Sequence, residues 1–150
     1  MRKVSFLSLV LGFVLCAPDA GAQAGSANTT PGTVSRITLL RITPGHASQF
    51  WQDVRQHSLP IWEEQKKGLI VDYSVATKST ADSPDDWSVA LVVTYKNWAT
   101  LDTFGPRNDS LTRAHYGSVD ARTAAATARI PHSQVVSSFL VRNQTVNPWR

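Results

Sequence analysis

Between residues 34 and 43 the apolar side chains fall on both sides of an extended chain. Ile37 and Leu39 lie on one face, Leu40 and Ile42 on the other. A strand that is apolar on both faces belongs to a sheet covered on both sides. Pro44-Gly45 ends it, and from 46 to 67 the period changes to that of a helix. Phe50, Val54, His57 and Ile61 form one stripe, with Trp51 and Trp62 beside it. Pro60 cannot donate to the carbonyl of Gln56, so a kink or restart is expected there. Lys66 and Lys67 suit the last turn of this helix, and Gly68 the position just after it.

Alternation returns in 69–77 ("LIVDYSVAT") and 87–95 ("WSVALVVTY"). The polar stretch 78–86 joins these two strands as an antiparallel hairpin. In the second, Trp87, Val89, Leu91, Val93 and Tyr95 share a face. Asn97 caps a short helix, 98–104, which Gly105-Pro106 is expected to stop. Residues 107–117 give no clear period. The alanine-rich run 118–130 predicts a helix, with Asp120 in its first turn and Arg129 in its last. A final strand covers 133–143.

The order β-α-β-β-α-β predicts an α+β, ferredoxin-like fold: a four-stranded antiparallel sheet with helices on one face. The helices suffice for one face only, yet the other is too apolar to meet water. A homodimer built sheet to sheet is therefore expected.

The first residues stand apart from this pattern. Arg2 and Lys3 precede the apolar run "VSFLSLVLGFVLCA", and small residues follow at 20–22 and 22–24. This is the layout of a signal peptide, 1–22, followed by a disordered tail, 23–33, and one domain, 34–150. The expected location is outside the cytoplasm, periplasmic or secreted, with no membrane span left after cleavage. Cleavage removes Cys16, the only cysteine, and with it any disulfide, thiol nucleophile or thiolate metal site. It also takes the formal charge from +4 to +3 by removing Arg2, Lys3 and Asp19. With no basic run and no basic–aromatic alternation, nucleic acid is not an expected partner.

"RITLLRITPGHASQFWQDV", "GLIVDYSV", "WSVALVVTYKNWATLDTF" and "VVSSFLVR" together resemble the dimeric α+β barrel superfamily. That group includes antibiotic-biosynthesis-monooxygenase-like, EthD-like and stress-responsive domains. Pro44, Gly45 and His46 fill its strand-to-helix junction; Tyr95, Trp98, Leu101 and Phe104 match its aromatic strand end and short helix. The resemblance covers most of 34–142 and implies a dimer. Members include cofactor-free oxygenases, isomerases, haem proteins and proteins without known activity, and no catalytic motif among them is matched residue by residue.

His57 is the main candidate for chemistry, because it interrupts an apolar stripe. It serves there either as a histidine held by one hydrogen bond or as a pocket acid–base group. His46 reads as the start of a helix. His115 and His132 are placed at a cleft mouth, but no histidine pair has metal-ligand spacing, so no metal site is expected. Trp62, Tyr73, Trp87, Trp98 and His115 are the candidate ligand-contacting residues, the aromatic ones as walls around a flat ligand. Asp72 reads as a buried acid or a paired, solvated one. Glu63, Glu64, Lys66 and Lys67 read as a solvated helix face, and Arg122 and Arg129 as a pair facing water or an anion. Two functions follow: an exported homodimer that binds a small aromatic or apolar molecule without a cofactor, or a cofactor-free oxygenase or isomerase using His57, with a haem-binding variant of the latter.

Overall fold

A computed structural model describes residues 28–148 except 81, 82 and 84. The expected signal peptide lies outside these residues. The elements run β1 (Thr29–Ile42), α1 (Ala47–Asp53), a π-helical turn (Val54–Ser58), α2 (Leu59–Lys66), β2 (Asp72–Thr77), β3 (Val89–Tyr95), α3 (Trp98–Tyr116), α4 (Val119–Arg129), a 3-10 turn (Ile130–His132) and β4 (Ser133–Val146). The strands form one antiparallel sheet in the order β2-β3-β1-β4, the ferredoxin-like arrangement.

Which face the helices cover follows from alternation and packing. Leu40 and Val89 pack with Phe50 and Val54, joined by Ile42, Val75 and Leu91. Tyr95 packs with Leu69 and Ile70, joined by Tyr73, Val93, Leu101, Phe104 and Leu111. The opposite face carries Ile37 between Val92 and Phe139, and Leu39 between Ala90 and Ser137. None of these belongs to either core cluster. Phe139 is 41% exposed. The apolar second face expected from the sequence is therefore present, and no described helix covers it.

Three expectations are corrected. β1 begins at Thr29, so Thr29–Thr33 are strand and not tail; Thr29, Thr30 and Pro31 pair with Val146, Thr145 and Gln144 of β4. The partner supplies the order that a polar segment lacks alone. The helix at 98 does not stop at Gly105-Pro106 but runs on to Tyr116. Leu101 and Phe104 before the proline and Leu111 after it all pack on Leu69, Ile70 and Tyr95. That burial outweighs the ~3 kcal/mol a helical proline costs. Gly105 and Pro106 themselves are exposed, where distortion disturbs no packing.

The third correction concerns the stripe on the helix after Pro44-Gly45. The helix restarts at Pro60, as expected, in α2. The preceding turn widens into a π turn in which the Leu59 N–H reaches the Val54 carbonyl, and the ring sits in the first turn of α2. One extra residue in the turn rotates everything after it by roughly 100°. The stripe through Phe50 and Val54 is thus broken before His57. In α2 the buried residue is Gln65, whose Nε2 donates to Asn108 Oδ1 at 2.6 Å and whose carbonyl accepts from the N–H groups of Gly68, Leu69 and Ile70. No helix among the described residues is long and apolar enough to cross a membrane.

Candidate functional site

The four histidines are 86 residues apart in sequence at most, and the fold gathers them into two pairs beside α1 and its π turn. His132, ending the 3-10 turn, places Nδ1 2.6 Å from Asp53 Oδ2, and its ring stacks on His46 with centroids 5.6 Å apart. His57, in the π turn, places Nδ1 3.2 Å from Nε2 of His115 on α3 and packs on the Tyr116 ring at 5.0 Å. Two polar atoms here are buried without a hydrogen-bond partner, His46 Nδ1 and Tyr116 Oη.

Next to the first pair, a cavity of about 210 Å³ opens between helices and sheet. Leu40, Leu91, Phe50 and Val54 give it an apolar floor, and Asp53, Ser58, Arg129, His132 and Ser133 a polar rim. β1, β3, β4, α1, the π turn, α4 and the 3-10 turn all contribute. The π turn matters here, because Asp53 and Ser58 stand at its two ends and both reach the cavity.

The Asp53–His132 contact fixes a tautomer. A carboxylate accepting from Nδ1 holds the proton there and leaves Nε2 as the basic nitrogen. Arg129 has no carboxylate partner among the described residues. The other member of the sequence pair, Arg122, is occupied, donating to Asp109 at 2.7 Å and to Thr112 Oγ1 at 3.2 Å and so tying α4 to α3. The two arginines therefore do not share a water-facing role. One is a strut and the other lines the cavity.

His57 is half-buried at a helix–helix seam, not core-facing as its spacing predicts. Its imidazole is held below the usual value of 6.5, first by burial, then by the positive charges of Arg129 and His115, with Asp53 opposing. A histidine whose folded pKa is lowered costs stability only where the unfolded chain takes up the proton. Stability is thus unaffected above 6.5 and falls as pH drops through 6.5 toward the lower folded value. His57→Gln is expected to flatten that acid-side loss, which urea unfolding on either side of pH 6.5 measures directly. An identical pH slope in parent and variant would refute the assignment.

The aromatic candidates have separate surroundings. Trp62 packs on Tyr73 at 4.9 Å, and the Tyr73 hydroxyl donates to Glu63 beneath the Lys66 ammonium. Trp87 lies under Lys78 in the β2–β3 connection, which with Arg41, Asp85 and Gln134 borders an open depression at the end of the sheet. Trp98 is exposed beneath the Arg142 guanidinium. None of the four lines the cavity under Asp53 and His132. Of the ligand-contacting candidates only His115 joins the histidine cluster. Asp72 is exposed and paired with Lys66 at 3.2 Å, which holds its carboxyl below the usual range. Among the described residues no group of three or more metal-binding side chains occurs.

Spacing alone could not show Asp53, Ser58, Arg129 and Ser133 as one site. Asp53 and His132 are 79 positions apart, so no local motif records their contact.

The chain matches no protein-family model and no curated protein. It is similar to solved structures at low identity. HapK from Hahella chejuensis aligns at 14% identity and a TM-score of 0.49, over 78% of this chain and 97% of that one. A dimeric ferredoxin-like protein from an uncultured marine organism aligns at 16% identity and 0.46, over 80% and 100%. A dimeric ferredoxin-like protein of unknown function from Thermobifida fusca aligns at 13% identity and 0.39, over 81% and 99%. These likenesses say nothing of the chemistry at Asp53 and His132.

Proposed function

We propose that this chain is an exported homodimer that binds a small, mainly apolar or aromatic molecule in the cavity between sheet and helices. The observation that carries the reading is that cavity: Leu40, Phe50, Val54 and Leu91 line it together with a few polar groups. Binding sites of small molecules combine an apolar surface with a few polar groups that set orientation. About 210 Å³ suits a ligand of one ring. The dimer rests on the bare face around Ile37, Val92 and Phe139, whose central rows carry no charge. A two-fold axis makes such a face complementary to itself. Export rests on the basic, apolar and small-residue sections of 1–24.

A second reading, acid–base catalysis on the bound molecule, is favoured by one observation. The Asp53–His132 pair presents a basic Nε2 at a residue lining the cavity. His57, the residue singled out by spacing, does not line the cavity; it stands one position from Ser58, which does.

Native mass spectrometry of protein purified from its own host tests the whole reading. The expected result is a dimer of chains beginning at Gln23 or Gly25 and carrying a small organic adduct that gentle activation releases. Monomers without adduct would overturn the binding and dimer claims; Met1 on protein recovered outside the cytoplasm would overturn export.

A further inference from the structure

The cavity's rim points to the charge of its ligand. Arg129 lines it with no carboxylate partner among the described residues, and a guanidinium bordering an apolar cavity in that way suits a planar oxyanion. Ser58 and Ser133 line the same cavity. Asp53 also lines it, and although its carboxylate is engaged with His132, its charge opposes a second negative charge on a ligand. A dianion such as phosphate is thereby disfavoured. The floor, in turn, demands an apolar body.

We infer that the cavity is a site for a small aromatic monocarboxylate, its carboxylate held by Arg129 and its ring on Phe50, Val54 and Leu91. The inference rests on the proposed binding function and adds the ligand's charge to it. His132 is placed by Asp53 beside the anion, with the ring of His46 stacked behind it. The His57 imidazole is held below its usual value, first by burial and then by the positive charge of Arg129, which favours its neutral form beside the site.

Benzoate is the probe, with benzyl alcohol as its uncharged counterpart of nearly equal shape. Binding of each to the purified protein is measured by calorimetry, and nitrogen-resolved NMR follows the Arg129 side-chain N–H and the His132 ring. The expected result is millimolar or tighter binding of benzoate, weaker binding of benzyl alcohol, and shifts at both residues. Arg129→Gln should weaken benzoate about tenfold or more, the cost of losing a charge-assisted hydrogen bond, and leave benzyl alcohol unchanged. Arg129→Lys keeps the charge but not the planar fork and should fall between them. Equal binding of the two probes, insensitive to Arg129→Gln, would overturn the anion while leaving the apolar cavity reading intact. Benzoate binding that survives Arg129→Gln, with no binding of benzyl alcohol, would place the anion elsewhere and overturn the inference. Binding of neither probe would remove both the inference and the reading beneath it.

Discussion

Replacing Phe139 by aspartate should leave the protein folded and make it monomeric. Phe139 stands on the edge strand β4, opposite Ile37 in register with Val92 beyond, on the sheet face that no described helix covers. The side chain is 41% exposed in the single chain and belongs to neither core cluster, so the monomer loses little packing when it goes. In a two-fold dimer the consequence is doubled. Each copy loses an aromatic anchor, and each must bury an unpaired carboxylate in the interface. An aromatic anchor carries about 2–4 kcal/mol of binding, and a desolvated charge adds to the loss. A cost of at least about 3 kcal/mol weakens dimerisation by roughly two orders of magnitude. Sedimentation equilibrium reads this directly, with circular dichroism as the check on folding. A variant that remains a tight dimer would show that the sheet face is not the interface.

The second large effect is expected at Phe50. Its side chain is 5% exposed, packs with Leu40, Val54 and Val89, and meets Trp51 edge to face at 5.0 Å. It joins α1 to the central strands and also floors the cavity. Phe50→Ala removes that joint and leaves a void that β1 and β3 cannot fill by moving. The expected loss is about 3–5 kcal/mol, a melting-point drop of ~10 °C or more. Phe50→Leu keeps most of the volume and should cost only about 1 kcal/mol. Chemical denaturation of both variants tests the claim. A loss below 1 kcal/mol for the alanine variant, on the scale typical of surface changes, would mean that α1 is not anchored where the packing places it.

The face assignments were legible because strands have a fixed period. Leu40 and Ile42 against Ile37 and Leu39 in β1, and Val89, Leu91, Val93 and Tyr95 in β3, fall on the faces that alternation dictates. Capping was legible too. Asn97 Oδ1 accepts from the Thr100 N–H at 3.0 Å at the start of α3, and Gly68 takes positive φ just past α2, both as expected. Ser118, read as the first residue of its helix, instead caps it and accepts from the Ala121 N–H at 3.0 Å. The length of α3 was not legible. Gly105-Pro106 is a strong local stop, and only contacts of Leu101, Phe104 and Leu111 with Leu69, Ile70 and Tyr95, 6 to 42 positions away, carry the helix past it.

By itself, then, the chain's hydrophobic pattern determined the order of elements, the antiparallel hairpin and the two-sided sheet, since each depends on periods of two or 3.6 within one segment. It also determined that Pro60 must disturb its helix, because a missing N–H is a property of the residue. The form of that disturbance, a π turn, was settled by packing on both sides of it, and the turn rotates His57 off its stripe and onto His115 and Tyr116. The site was decided by tertiary structure alone. Asp53, Arg129 and His132 come from a helix end, another helix end and a 3-10 turn, and their distances depend on how α1 and α4 close over β1, β3 and β4. A local period records which side of its own element a residue faces. It carries no information on which distant residue it will meet there.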